Sequence, residues 1–184
     1  MGRWTLILML YGIGPYMALT MFRPLLVDLG LSMGEIGLLL GVVSYGAGLL
    51  GAVVAGLNIS RLGRKRALVI FSALQGIAIA AYCLPALGFT QLPLLYLVAT
   101  VAQFINGMAM TALFTVMMDK SDAATAGTDY TVQSSVVYIS GILGATFSGI
   151  IAEAIGYGGV FAVAFSFAAI TVFSINYLLH QSSS

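Results

Sequence analysis

The sequence predicts an all-α integral membrane protein of six transmembrane helices, arranged as two inverted three-helix repeats. Three observations lead there. Sixty per cent of the 184 residues are hydrophobic and 7% are charged. Soluble domains carry roughly 25% charged residues, so this chain has too few to solvate a globular surface. The apolar runs reach about 20 residues, enough to cross a hydrocarbon core, and lack the two-residue alternation of a lipid-facing barrel strand. Small residues also recur at a fixed offset of 93 positions: Tyr45, Gly48, Gly51, Ala52, Ala55, Gly56 and Gly63 return as Tyr138, Gly141, Gly144, Ala145, Ser148, Gly149 and Gly156. Gly14 with Gly107 and Met17 with Met110 keep the same offset. A duplicated unit with an odd number of spans enters the membrane in opposite orientations in its two copies, a construction that recurs in transport folds.

The spans are expected at Trp4–Val27, Met33–Leu57, Arg66–Leu87, Pro93–Met118, Tyr130–Ala154 and Tyr157–Leu179. The first run is continuous, without the short apolar core and small-residue cleavage site of a signal peptide. Asp28 to Ser32 links it to the second. Ser32 with Glu35 makes an S-x-x-E capping box, in which each side chain satisfies a free N–H at the helix start. Repeat one takes in residues 1–90 and repeat two residues 91–184, within a single membrane domain. The polar stretch Asp119–Thr128 is too short to fold alone and reads as a cytoplasmic loop and hinge. Arg3, the group Arg61, Arg64, Lys65 and Arg66, and Lys120 all fall on one side of a six-span arrangement. Only Arg23 lies towards the other. By the positive-inside rule both termini are expected in the cytoplasm.

Composition also excludes functions. A net charge near +1, with no basic stripe interleaved with aromatics, gives no footprint for nucleic acid. Cys83 is the only cysteine, so neither an intrachain disulfide nor a zinc set is available. It reads as a small apolar filler, and no cofactor or metal is expected. His180, also alone, reads as interfacial. No Ser/His/Asp or metal cluster supports a membrane enzyme, and no filter loop or polar ring supports a channel.

Several residues are candidates for a solute path. Gln103, Asn106, Gly107, Met110 and Phe114 fall near one face of the fourth span. Two amides in hydrocarbon need partners, so that face looks into the bundle or a wet cavity; helix-to-helix bonding and solute contact are both open. Gln75 reads as a structural bond, and Gln133 as a cap or gate. Tyr11, Tyr16, Tyr45 and Tyr138 offer amphipathic contacts or plain aromatic packing. Gly12-Ile13-Gly14-Pro15-Tyr16 predicts a kink, because Pro15 lacks an N–H. Its freed carbonyls either face a cavity or serve packing alone. Arg23 either attracts an anionic solute or pairs with Asp28 or Glu153. Small residues line the second span (Ser44, Gly48, Ala52, Gly56) and the fifth (Ser134, Gly141, Ala145, Ser148, Ala152), the pattern that lets helix backbones approach closely.

Gly56-Leu57-Asn58-Ile59-Ser60-Arg61-Leu62-Gly63-Arg64-Lys65-Arg66 resembles the loop between the second and third helices of each half of the major facilitator superfamily, G-x-L-x-D-R-x-G-R-[RK]-x. Gly56, Arg61, Gly63, Arg64 and Lys65 match. Asn58 and Ser60 stand where the family has Leu and Asp, so the loop lacks the acid of the family's charge relay. Phe22 to Ser32, then Gly34-Glu35-Ile36-Gly37, and Ala126 to Ser135 resemble the C-terminal half, helices seven to twelve, in the branch of RhtX/FptX-type siderophore permeases. The muropeptide permease AmpG and acetyl-CoA transporters are more distant members of that branch. Many members carry a charged group in the first helix of this half, where this chain has Gly12 to Tyr16.

The resemblance implies the two inverted triplets of half a transporter. The first and fourth helices would line the central cavity and the third and sixth would face lipid. The second and fifth would meet the opposite half through Gly48, Ala52, Gly141 and Ala145. Tyr11, Pro15, Arg23, Gln103, Asn106, Met110 and Tyr138 are then the candidate solute-path residues. It further implies uptake of a siderophore-like or related bulky polar compound across the bacterial inner membrane by alternating access, with no enzymatic activity. The expected partners are the lipid bilayer, the solute, and either an N-terminal six-helix half or a second copy. The alternative is a non-transporting membrane subunit or split-gene remnant. No acid lies in mid-span, so a coupling group is expected in the other half.

Overall fold

The computed structural model describes residues 2–181, with side chains over 3–177. The side chain of His180 and the serines at 182–184 lie outside the described residues. Five helices are long and apolar enough to cross a membrane, and no strand occurs among the described residues. We label them α1 (Gly2–Asp28), α2 (Met33–Leu62), α3 (Arg64–Ala86), α4 (Leu92–Lys120) and α5 (Ala126–Gln181).

Local chemistry sets the boundaries. At Ser32 the expected capping box is present: Glu35 N donates to Ser32 Oγ (3.3 Å) and Ser32 N donates to Glu35 Oε2 (2.8 Å). α2 runs five residues further than expected, to Leu62, because nothing interrupts the ladder before Gly63. Gly63 has φ 81 and ψ 137, and α3 begins at the next residue. That positive φ is one an L-residue avoids, so a single glycine makes the turn. α2 also contains a π-helical stretch, Gly37–Ser44, which its Leu- and Val-rich sequence does not announce. α1 stays helical through Pro15 and Pro24. Pro15 has no N–H, so the Tyr11 carbonyl loses its ladder partner.

α5 is divided by a turn of a single residue. Two helices are expected from its sequence, and the run 126–181 divides into two at a single non-helical residue, Gly156 (φ 71, ψ 177). Gly156 is the offset mate of Gly63, and both take the same kind of backbone. The two arms, 126–155 and 157–181, pack on α1 in opposite directions. A Cβ at Gly12 would meet Val137 and Ser140, and one at Gly144 would meet Ile13 and Met17, so α1 and the first arm advance together. A Cβ at Gly14 would meet Ala164 (2.8 Å), whereas Tyr157 Oη donates to Asp28 Oδ2 (2.5 Å), so the second arm runs back along α1. Residues 140 and 164 would sit about 36 Å apart on a straight helix at 1.5 Å per residue. Both lie beside the same turn of α1, so the chain reverses at Gly156.

Two apolar clusters fill the bundle. One gathers Met17, Phe22, Leu26, Leu39, Tyr82, Leu95 and Phe161. Its rings are in contact, with Phe22 and Tyr82 centroids 4.6 Å apart and Tyr82 and Phe161 5.7 Å apart. The other gathers Leu8, Tyr11, Ala55, Leu68, Leu113, Met117 and Ile175. The outer faces of α2 and the first arm of α5 stay apolar and exposed, as at Leu49, Val53, Leu57, Ile142, Phe147 and Ile150.

Candidate functional site

Between α1, α2, α3, α4 and the first arm of α5 lies a cavity of about 250 Å³. α4 contributes Ala102, Gln103, Asn106, Met110 and Phe114. α1 contributes Pro15, Tyr16 and Leu19, and α5 contributes Val137 and Tyr138. Tyr45 on α2 and Tyr138 are 52% and 53% exposed, so the cavity opens between those two helices. Among the candidates read from sequence, Pro15, Gln103, Asn106, Met110 and Tyr138 meet in this wall.

The amides differ in kind. Gln75 Nε2 donates to Asn106 Oδ1 (2.8 Å), a bond that ties α3 to α4. Gln103 is buried and has no hydrogen-bond partner among the described residues. The fully enclosed side-chain atoms without a partner are Ser44 Oγ and Ser134 Oγ, so the Gln103 amide meets the open space of the cavity and is available to a polar group that enters it. Every lining residue is uncharged.

Four of the sequence readings take a definite place in the structure. Tyr11 lies outside this wall. It is buried, its hydroxyl donates to the Ala109 carbonyl (2.9 Å), and Ser72 Oγ lies 3.4 Å away. It fastens α1 to α4. Arg23 pairs with neither acid considered for it. Asp28 sits five residues on, about 140° around the helix at 100° per residue, and accepts from Tyr157 instead. The third helix is not simply lipid-facing, since Gln75, Ala78, Ile79 and Tyr82 present one face of α3 to the cavity. The i, i+3, i+4, i+7 spacing of those four is the sequence signal for that face.

The fourth concerns the small-residue stripes. They close helix contacts inside this chain rather than reaching only an opposite half. A Cβ on Gly48 would lie 3.3 Å from the Gln103 carbonyl oxygen. One on Gly107 would overlap the Gly48 carbonyl, 2.9 Å from its carbon, and one on Gly141 would lie 2.7 Å from the Tyr16 ring. Ala52 and Ala145, on the same stripes, are half-buried.

The loop that matched the family pattern lies at the opposite end from Asp28. Gly63 makes the turn, and Arg64 pairs with Asp119 at the end of α4. Asp119 was not singled out from sequence, because the pair is 55 residues apart and no local spacing reveals it. Gly56 and Arg61 are exposed on the last turns of α2, and Lys65 follows at the start of α3. Nearby, Trp4 Nε1 donates to Gln133 Oε1 (2.6 Å). Gln133 Nε2 reaches the Met117 carbonyl (3.2 Å) and Ser121 Oγ (3.1 Å). Lys120 Nζ stands 4.9 Å above the Trp4 ring, within cation–π range.

A bundle of long apolar helices around an uncharged, mainly apolar cavity with a few polar groups defines a multi-pass membrane protein with room for a small molecule. The chain belongs to the Major Facilitator Superfamily, which its sequence matches over residues 4–182. It is similar to the "Anhydromuropeptide permease" of Escherichia coli strain K12, 26% identical over 153 residues, or 83% of this chain and 31% of the permease. The protein of the same name from Escherichia coli O157:H7 gives the same values. The chain thus spans less than a third of the length of these relatives.

Proposed function

We propose that this chain forms one half of a secondary active transporter for a bulky polar solute. In this reading it crosses the bacterial inner membrane six times, as two inverted triplets joined near residue 90, with both termini in the cytoplasm. The observation that carries it is the cavity, with the unpartnered Gln103 amide in its wall and its open side flanked by the bare apolar faces of α2 and α5. A second six-helix unit, either an N-terminal half or another copy, covers those faces and closes the path. Rocking of the two units about the cavity gives alternating access.

Reciprocal packing supports the inverted repeat. Gly48 and Gly51 of repeat one approach Gln103 to Gly107 of repeat two, while Gly141 and Gly144 of repeat two approach Ile13 to Met17 of repeat one. Shifted by 93 positions, each contact maps close to the other, as a two-fold exchange requires. The cations support the orientation: Arg64, Lys120 and the Trp4 knot gather at one end.

The permease relatives favour a muropeptide-like solute. The resemblance of residues 22–37 to siderophore permeases favours a ferric siderophore. Uptake of a labelled anhydromuropeptide and a labelled ferric siderophore is measured in cells carrying the chain alone, with an N-terminal six-helix half, or not at all. Uptake above background for one of the two supports the reading. No uptake in any combination overturns it in favour of a non-transporting subunit or remnant.

A further inference from the structure

Arg23 has a distinct setting. It is exposed and makes no ion pair or hydrogen bond among the described residues. Of the two acids considered for it, Asp28 is held by Tyr157 (2.5 Å) and Glu153 forms no pair with it. Its place on α1 is informative. Tyr16 and Leu19 line the cavity, and Arg23 follows Leu19 by four residues and Tyr16 by seven, so all three share one helix face. Along the axis Arg23 stands about 10 Å beyond Tyr16, at 1.5 Å per residue. That is towards the end where α1 meets Tyr157. The residues buried against the rest of the bundle, Met17, Ala18, Phe22 and Leu25 among them, lie on other faces. An unpaired guanidinium near the end of a span, continuing a cavity stripe that is otherwise uncharged, is kept at a cost in an apolar chain. Its planar fork of donors matches a carboxylate or phosphate in bidentate geometry.

We infer that Arg23 is a specificity residue that receives an anionic group of the solute, while the solute's neutral polar body lies against Tyr16, Gln103 and Tyr138. The solute class is then a neutral polar scaffold bearing a carboxylate or similar anion about 10 Å from the part held beside Tyr16, the spacing set by seven residues of helix. This rests on the transport reading above and adds the charge requirement to it.

The test uses cells that take up the labelled muropeptide, with unlabelled muramyl dipeptide and its methyl ester as competitors. The free acid is expected to compete at least tenfold better than the ester. Arg23→Gln is expected to erase that ratio, and Arg23→Lys to keep part of it. Protein abundance in the membrane is followed in parallel. A ratio near one in the unsubstituted chain overturns the inference and leaves the transport reading standing. So does an undiminished ratio in Arg23→Gln. If Arg23→Gln lowers membrane abundance and leaves the ratio intact, Arg23 serves insertion or folding and the inference is wrong. Absence of uptake of both the labelled muropeptide and the labelled siderophore removes the transport reading, and this inference with it.

Discussion

Gly107→Ala tests one of the two closest helix contacts in the bundle, the other being Gly51 against Phe104. A methyl there would overlap the Gly48 carbonyl, 2.9 Å from its carbon and 3.1 Å from its Cα. Carbon atoms rest at about 3.5–4.0 Å, and the obstacle is backbone, which cannot rotate aside. α2 and α4 must therefore separate by roughly 1 Å. A gap of that size forfeits a quarter to a half of each dispersion contact along the seam. Overpacking of this kind costs about 3 kcal/mol, the upper end of the usual range. For a chain of this length that is a fall in Tm of about 6–12 °C. Two controls grade the effect. Gly48→Ala meets only the Gln103 carbonyl oxygen at 3.3 Å and should cost a fraction as much. Gly46→Ala meets nothing within 4 Å, and alanine favours a helix over glycine by about 1 kcal/mol, so its Tm should hold or rise. Thermal unfolding of the three variants in detergent, followed by circular dichroism, reads the series. Equal Tm values for Gly107→Ala and Gly46→Ala would refute the close approach of α2 and α4.

Further outcomes follow from the amides, the turns and the charged end. Gln75→Leu leaves the Asn106 amide without its partner and should lower stability by about 1–2 kcal/mol. Gln103→Leu should leave Tm unchanged and reduce uptake in the cell assay. Gly156→Ala should cost about 1–3 kcal/mol, because φ 71 with ψ 177 is a region that only glycine enters freely. Gly149→Ala, in open space, is the control in the same unfolding experiment. Tyr11→Phe should cost about 1 kcal/mol from the lost bond to Ala109 and leave solute selectivity untouched. Arg64→Ala should shift stability by less than about 1 kcal/mol, since the pair with Asp119 is exposed and screened. A large loss in that variant would show that the pair is shielded from water.

The long apolar runs and the turn glycines made most of the fold legible. Gly63 and Gly156 were marked by the repeat before either was seen to carry a positive φ, and the Ser32–Glu35 box announced the start of α2. The π-helical stretch at Gly37–Ser44 stayed hidden, because an apolar run without polar punctuation fixes a helix but not its winding. The small stripes were legible as close backbone approach, but composition does not say whose backbone. Gly48 and Gly141 therefore pointed outward on paper and pack inward in the bundle. The site was half legible. Gln103 and Asn106 stood out because amides in hydrocarbon demand an explanation, and Gln75 was legible as the structural bond it makes, whereas Tyr82 looked like any other aromatic in an apolar run. Arg64 and Asp119 meet only in three dimensions, so no local spacing gave that pair away.

The one-residue reversal at Gly156 bears on how the protein is made. Where most neighbouring spans are joined by several loop residues, these two arms share a hinge with almost no slack. In the six-crossing arrangement the translocon cannot release the first arm into lipid and hold the second back. The pair must partition sideways as one hairpin, with α1 already in place to receive both legs. Lengthening that hinge with a few flexible residues would uncouple the two partitioning events and expose the last arm to misinsertion during synthesis.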